Sequence, residues 1–98
     1  MKTFYGDTFI KIADLAMSKI YYPIKLEYYK IWQETENENR IYGIEIVKKK
    51  YVNKSIQTEQ EKILEITKSE EKIEEILQII KMGQVTPVSL KYVVEDLM

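Results

Sequence analysis

The sequence predicts a two-layer α+β sandwich: an antiparallel meander of two or three strands, covered by a C-terminal pair of helices. Three observations lead there. Apolar residues alternate from Ile24 through Trp32 and again around Ile44, with a polar, turn-rich stretch between. From Ile73 the spacing changes to the helical three-and-four pattern and keeps it nearly to the end. At 98 residues the chain is one domain, long enough for a single hydrophobic core.

The first segment is the least regular. Asp7 is placed to cap a helix, and Phe9, Ile12, Ala13, Ala16 and Ile20 follow at helical spacing, so residues 1–20 are read as an N-terminal helical segment. Ile10, Leu15 and Met17 fall off that stripe. Such a helix is apolar around much of its circumference, and it packs on the sheet or faces a partner.

From Tyr21 the pattern alternates. Ile24, Leu26, Tyr28 and Trp32 share one strand face, with Lys25, Glu27 and Tyr29 on the other. Pro23 stands at the strand's beginning, where its missing N–H does least harm. The polar run Glu34 to Asn39 reads as a hairpin loop. The second strand sets Tyr42, Ile44 and Ile46 on one face. Gly43 falls opposite, where a missing side chain lets another backbone or a ring approach. After a turn at Asn53-Lys54-Ser55, a third run from Thr58 to Ile66 either completes the meander or turns helical, because Glu and Lys are poor strand formers.

The last third is the most regular. Thr67 or Ser69 caps a helix, and Thr67 with Glu70 has capping-box spacing. Ile73, Ile76, Leu77 and Ile80 form its apolar stripe. Glutamates 70, 71, 74 and 75 sit toward the N-terminal, positive end of the dipole. Gly83 is expected to end this helix in the left-handed conformation. Thr86-Pro87 then starts a second helix, with Leu90, Val93, Val94 and Leu97 apolar and Val85 turned into the core.

Two stretches together resemble a family of short proteins of unknown function from low-GC Gram-positive bacteria. They are Tyr42-Gly43-Ile44-Glu45-Ile46, and Gly83-Gln84-Val85-Thr86-Pro87-Val88-Ser89-Leu90 with Val94-Glu95-Asp96. The resemblance covers about residues 24 to 98, leaves the preceding segment particular to this chain, and implies a bacterial source and a shared fold. It carries over no functional residue.

Residue types narrow the chemistry. The chain has no cysteine and no histidine, so it lacks thiolate ligands, disulfides, the commonest general base and the commonest transition-metal ligand. Glu95 and Asp96 are adjacent on a helix, about 100° apart, and do not converge on one atom. The glutamates at 70, 71, 74 and 75 lack the glycine-centred spacing of a calcium loop and read as a solvated helix face. Three scattered glycines cannot build a phosphate cradle. The expectation is a protein that is no enzyme and takes no cofactor or metal. No apolar run is long enough for a membrane span and no signal-peptide pattern is present, so a cytoplasmic protein is expected.

Two binding surfaces remain. The favoured one is apolar and aromatic: Tyr29, Ile31, Ile41 and Val47 on the sheet face away from the helices, with Phe4, Tyr5, Phe9, Ile10, Leu15 and Met17 of the first segment. It fits a protein-interaction or regulatory module whose partner is another protein or, in a homodimer, a second copy. The rival is a nucleic-acid-binding module using the basic-aromatic run Lys48, Lys49, Lys50, Tyr51 and Lys54. Alternation sends Lys48 and Lys50 to one face and Lys49 to the other, and the acidic stretch 59–75 can neutralise them.

Overall fold

A computed structural model describes residues 1–10 and 22–98. Four strands, β1 (Lys2–Ile10), β2 (Ile24–Glu34), β3 (Arg40–Val52) and β4 (Ser55–Thr67), form one antiparallel sheet in chain order. Two helices follow, α1 (Glu70–Met82) and α2 (Leu90–Leu97), the second entered through a 3-10 turn at Pro87–Ser89. The α+β class and the helical cover stand as expected. The meander has four strands, and the third run is a full-length strand.

The fourth strand comes from the segment read as a helix. Lys2–Ile10 pairs with β2, from Lys2 opposite Ile31 to Ile10 opposite Ile24. A register shift between Phe4 and Gly6 inserts Tyr5 as an extra residue and reverses the phase of alternation midway. That shift hid the period-two signal, while Thr3, Phe4, Tyr5, Thr8, Phe9 and Ile10 all have good strand propensity. Asp7 therefore caps nothing and pairs opposite Glu27. The rest of the expected helix, including Leu15 and Met17, lies outside the described residues.

The core forms between the sheet and the helices. Leu26, Tyr28, Ile44 and Ile46 from the strands meet Ile73, Ile76, Leu77, Ile80 and Leu90 from the helices, all at most 1% exposed. Burying a side chain of this size contributes about 1.5–3 kcal/mol. Polar ties cross the same interface. The Tyr28 hydroxyl donates to the Val85 carbonyl at 3.0 Å, and Lys30 Nζ donates to Glu74 at 2.8 Å. Tyr42 Oη donates to Glu70 at 3.1 Å. So two of the four glutamates expected to face water reach down to the sheet.

Local chemistry sets the helix ends. Ser69 is the N-cap of α1: its Oγ accepts from the Lys72 N–H, while Thr67 Oγ1 accepts from the Ser69 N–H. Gly83 is in the right-handed region at φ −83°, and Gln84, at φ 51°, supplies the left-handed turn instead. Val85 is buried, as expected, and its N–H donates to the Ile80 carbonyl at 3.1 Å. No described helix is long and apolar enough to cross a membrane.

Candidate functional site

The helices cover one sheet face, and no described element covers the other. Period-two alternation and the strand registers fix what this outer face carries. Reading across from β1 to β4, one row is Phe4, Tyr29, Glu45 and Lys62. The next is Asp7, Glu27, Val47 and Gln60, and a third is Phe9, Lys25, Lys49 and Thr58. Tyr51 opposite Ile56 closes one end. Ile31 beside Gly43, and Ile41 opposite Gln33, stand toward the other.

The expected apolar patch is thus interlaced with charge. Ile31 and Val47 are present on it but nearly buried, at 7% and 8% exposed, while Tyr29 and Ile41 are half-buried. The exposed apolar groups lie around them: Phe4, Phe9, Ile56 and Leu64, each about half exposed. Phe4 packs edge-on against Tyr29, with ring centroids 5.6 Å apart, and Phe9 meets Tyr51 at 6.4 Å. Phe9 and Ile10 do not act together. The strand sends Phe9 to the outer face, where it pairs opposite Lys25, and Ile10 toward the helices, opposite Ile24.

Two buried carboxylates organise the centre of the face. Glu27 lies 3.2 Å from Lys49 Nζ and 3.4 Å from Lys25 Nζ, and accepts from the Tyr29 hydroxyl at 3.3 Å. Burial pushes its pKa up, but the hydrogen bonds and charges of Lys49 and Lys25 outweigh this and hold it below the ordinary value. Glu45 takes Lys2 at 3.1 Å, and that ammonium also sits 4.6 Å from the centre of the Tyr29 ring. Sequence reasoning passed over both glutamates. The available signal was Lys25, Glu27 and Lys49 sharing a face once the β2–β3 hairpin register is fixed.

The basic run is divided as alternation requires. Lys49 points to the outer face and pairs with Glu27. Lys50 lies on the helix side, its Nζ 2.6 Å from Glu59, and Lys48 is opposite the same glutamate in register. Tyr51 is on the outer face, and Lys54 is at the exposed turn. The five residues do not form one basic surface.

Beside Gly43 the outer face is notched. Residues of β4 cross close over the glycine, and a groove of about 320 Å³ opens there, lined by Lys2, Ile31, Gln33, Glu45, Lys62 and Leu64 among others. Among the described residues no group of three or more acidic side chains could hold a metal ion. On the outer face the carboxylates of Asp7, Glu27 and Glu45 are matched to the ammonium groups of Lys25, Lys49 and Lys2.

The model of a family of unknown function, DUF6514, matches residues 12–98. The chain belongs to that family. No curated protein and no solved structure matches it. The DUF6514 match starts earlier than the resemblance implied, and so takes in residues 12–23. Strand β1 precedes it. On the outer face, Glu27, Tyr29, Glu45 and Lys49 lie within the DUF6514 match, whereas Lys2, Phe4, Asp7 and Phe9 lie before it.

Proposed function

We propose that this protein is a small, non-catalytic interaction or regulatory module of the bacterial cytoplasm that binds a protein partner through the outer face of its sheet. The observation that carries the reading is half-exposed Phe4, Phe9, Ile56 and Leu64 around a centre of paired charges, on strands held in place by a core on their other side. Aromatic groups anchored on rigid elements lose little freedom when they dock, and paired charges around them favour one register over others. The lack of histidine and cysteine, and carboxylates matched to lysines, support binding over catalysis.

Affinity capture of partners from the source cells, with wild-type protein and with Phe4→Asp/Phe9→Asp, tests the reading. Both side chains sit on β1, an edge strand among the described residues, away from the core, so the variant is expected to fold, and its circular dichroism spectrum checks this. The wild type is expected to retain a discrete partner that the variant loses by tenfold or more, on the order of 1.4 kcal/mol. Identical profiles for the two proteins sink the reading.

A further inference from the structure

Strand β4 is an edge of the sheet among the described residues, and the direction of its peptide groups can be worked out. The Tyr51 N–H donates to the Pro23 carbonyl at 3.1 Å, so the odd-numbered residues of β3 turn their peptide groups toward β2. The even-numbered ones, Ile44 to Val52, then turn toward β4. Their neighbours there are odd-numbered, from Ile63 opposite Ile44 to Ser55 opposite Val52. Alternation leaves Ile56, Thr58, Gln60 and Lys62 with N–H and C=O aimed out of the sheet.

Nothing described covers this stretch. All four of these residues are exposed, and β4 joins the core only farther along, where Ile63 packs against it and Ile66 is buried. The usual protections of an edge are a proline, a bulge, a short strand or charged side chains, and of these the stretch carries only the charges of Glu59, Glu61 and Lys62. Between Ile56 and Lys62 there is neither proline nor register shift; the shift in this pair comes later, opposite Gly43. Such an edge accepts another strand.

The strand is complementary to itself. A two-fold axis through Gln60 sets two copies antiparallel, with Gln60 opposite Gln60, Thr58 opposite Lys62 and, where the register shift after Ile63 begins, Ile56 opposite Leu64. Ile56 and Leu64 are the exposed large apolar residues of this strand, at 60% and 49%. Moving the axis to Glu59 sets Ile56 against Lys62, and moving it to Glu61 sets Leu64 against Thr58. Only Gln60 brings the two apolar side chains together. The outward groups of Thr58, Gln60 and Lys62 would then exchange about six hydrogen bonds across the axis. One term opposes the pairing. On the helix-facing side Glu59 of each copy meets Glu61 of the other, and although Lys50 lies 2.6 Å from Glu59, Glu61 has no ion pair among the described residues.

We propose that two copies of this chain join along β4, antiparallel about Gln60, so that their sheets run on as one. This interface shares Ile56 and Leu64 with the outer-face reading, but that reading is tested at Phe4 and Phe9 on β1, at the other side of the sheet, so the two fail separately.

Sedimentation equilibrium of the full chain from micromolar to millimolar concentration tests it, with two variants of opposite sign. Gln60→Pro removes an outward N–H without taking a ladder bond from β3, and is expected to leave a monomer with an unchanged circular dichroism spectrum. Glu61→Lys turns both Glu59–Glu61 oppositions into attractions and is expected to tighten the dimer about tenfold at low salt, less at high salt. A wild type that stays monomeric at millimolar concentration overturns the proposal. So does a dimer that ignores Glu61→Lys, which decides the matter even if Gln60→Pro fails to fold. A dimer dissolved by Phe4→Asp/Phe9→Asp would place the contact on the outer face and also overturn it.

Discussion

Gly43 shows what one missing atom does in this molecule. Its φ is not positive, so conformational freedom is not the reason for glycine. The reason is space. A Cβ here would stand 2.6 Å from the Leu64 carbonyl oxygen and closer still to that of Ile63. Both obstacles are backbone of β4 and cannot swing aside as a side chain would. Gly43→Ala is therefore expected to cost about 3 kcal/mol in urea unfolding, with the damage centred on the β3–β4 pairing and the groove beside it. A loss below about 0.5 kcal/mol would mean the strands separate easily. The sequence signal for this approach was plain, a lone glycine facing away from Tyr42, Ile44 and Ile46. Glu27 and Glu45 were not legible in the same way. A carboxylate's pairing depends on which residue lies opposite, and register is a property of two strands together.

Among the elements, α1 was read nearly in full, because its stripe, its acidic start and its lysine-bearing end all agree on one structure. Its cap had two candidates, and the geometry divides their roles. Ser69 accepts from the third residue of the following turn, while Thr67 holds the chain entering the cap. Ser69→Ala is expected to cost about 1 kcal/mol in thermal or chemical unfolding, by freeing the Lys72 N–H. Equal stability of variant and wild type would show that water caps the helix as well. Strand β1 is the opposite case. Its bulge at Tyr5 breaks the alternation by which strands are recognised, and Asp7 just before an apolar run imitates a helix cap. The likeness to a helix came from the order of residues, whereas their types (aromatic and β-branched) already favoured a strand.

For the molecule as a whole, ion pairs tie the strands to one another and set limits of pH. Glu27 is held below the ordinary carboxylate value of 4.5 by Lys49 and Lys25 against the pull of burial, and Glu59 is lowered by Lys50. Both carboxylates hold a proton less tightly folded than unfolded. Their contribution is thus complete above the unfolded value and disappears as the pH falls through the lower, folded ones. The lysines raised by these contacts, Lys25 and Lys50 among them, act in the other direction and lose their share only as the pH rises past 10.5. Melting temperature is expected to be level through neutrality and to drop below about pH 4.5. Glu27→Gln should flatten part of that acid limb and leave the part due to Glu59; an acid limb identical to the wild type would show that other carboxylates govern it. The chain order of the elements has one more consequence, in time. Every strand pairs with its neighbour in sequence, so the sheet can form hairpin by hairpin as the chain is synthesised. Leu26, Tyr28, Ile44 and Ile46 then wait uncovered until α1 and α2 have left the ribosome, a delay of a few seconds at ordinary elongation rates. During that interval the nascent chain shows its apolar face to whatever chaperone is near.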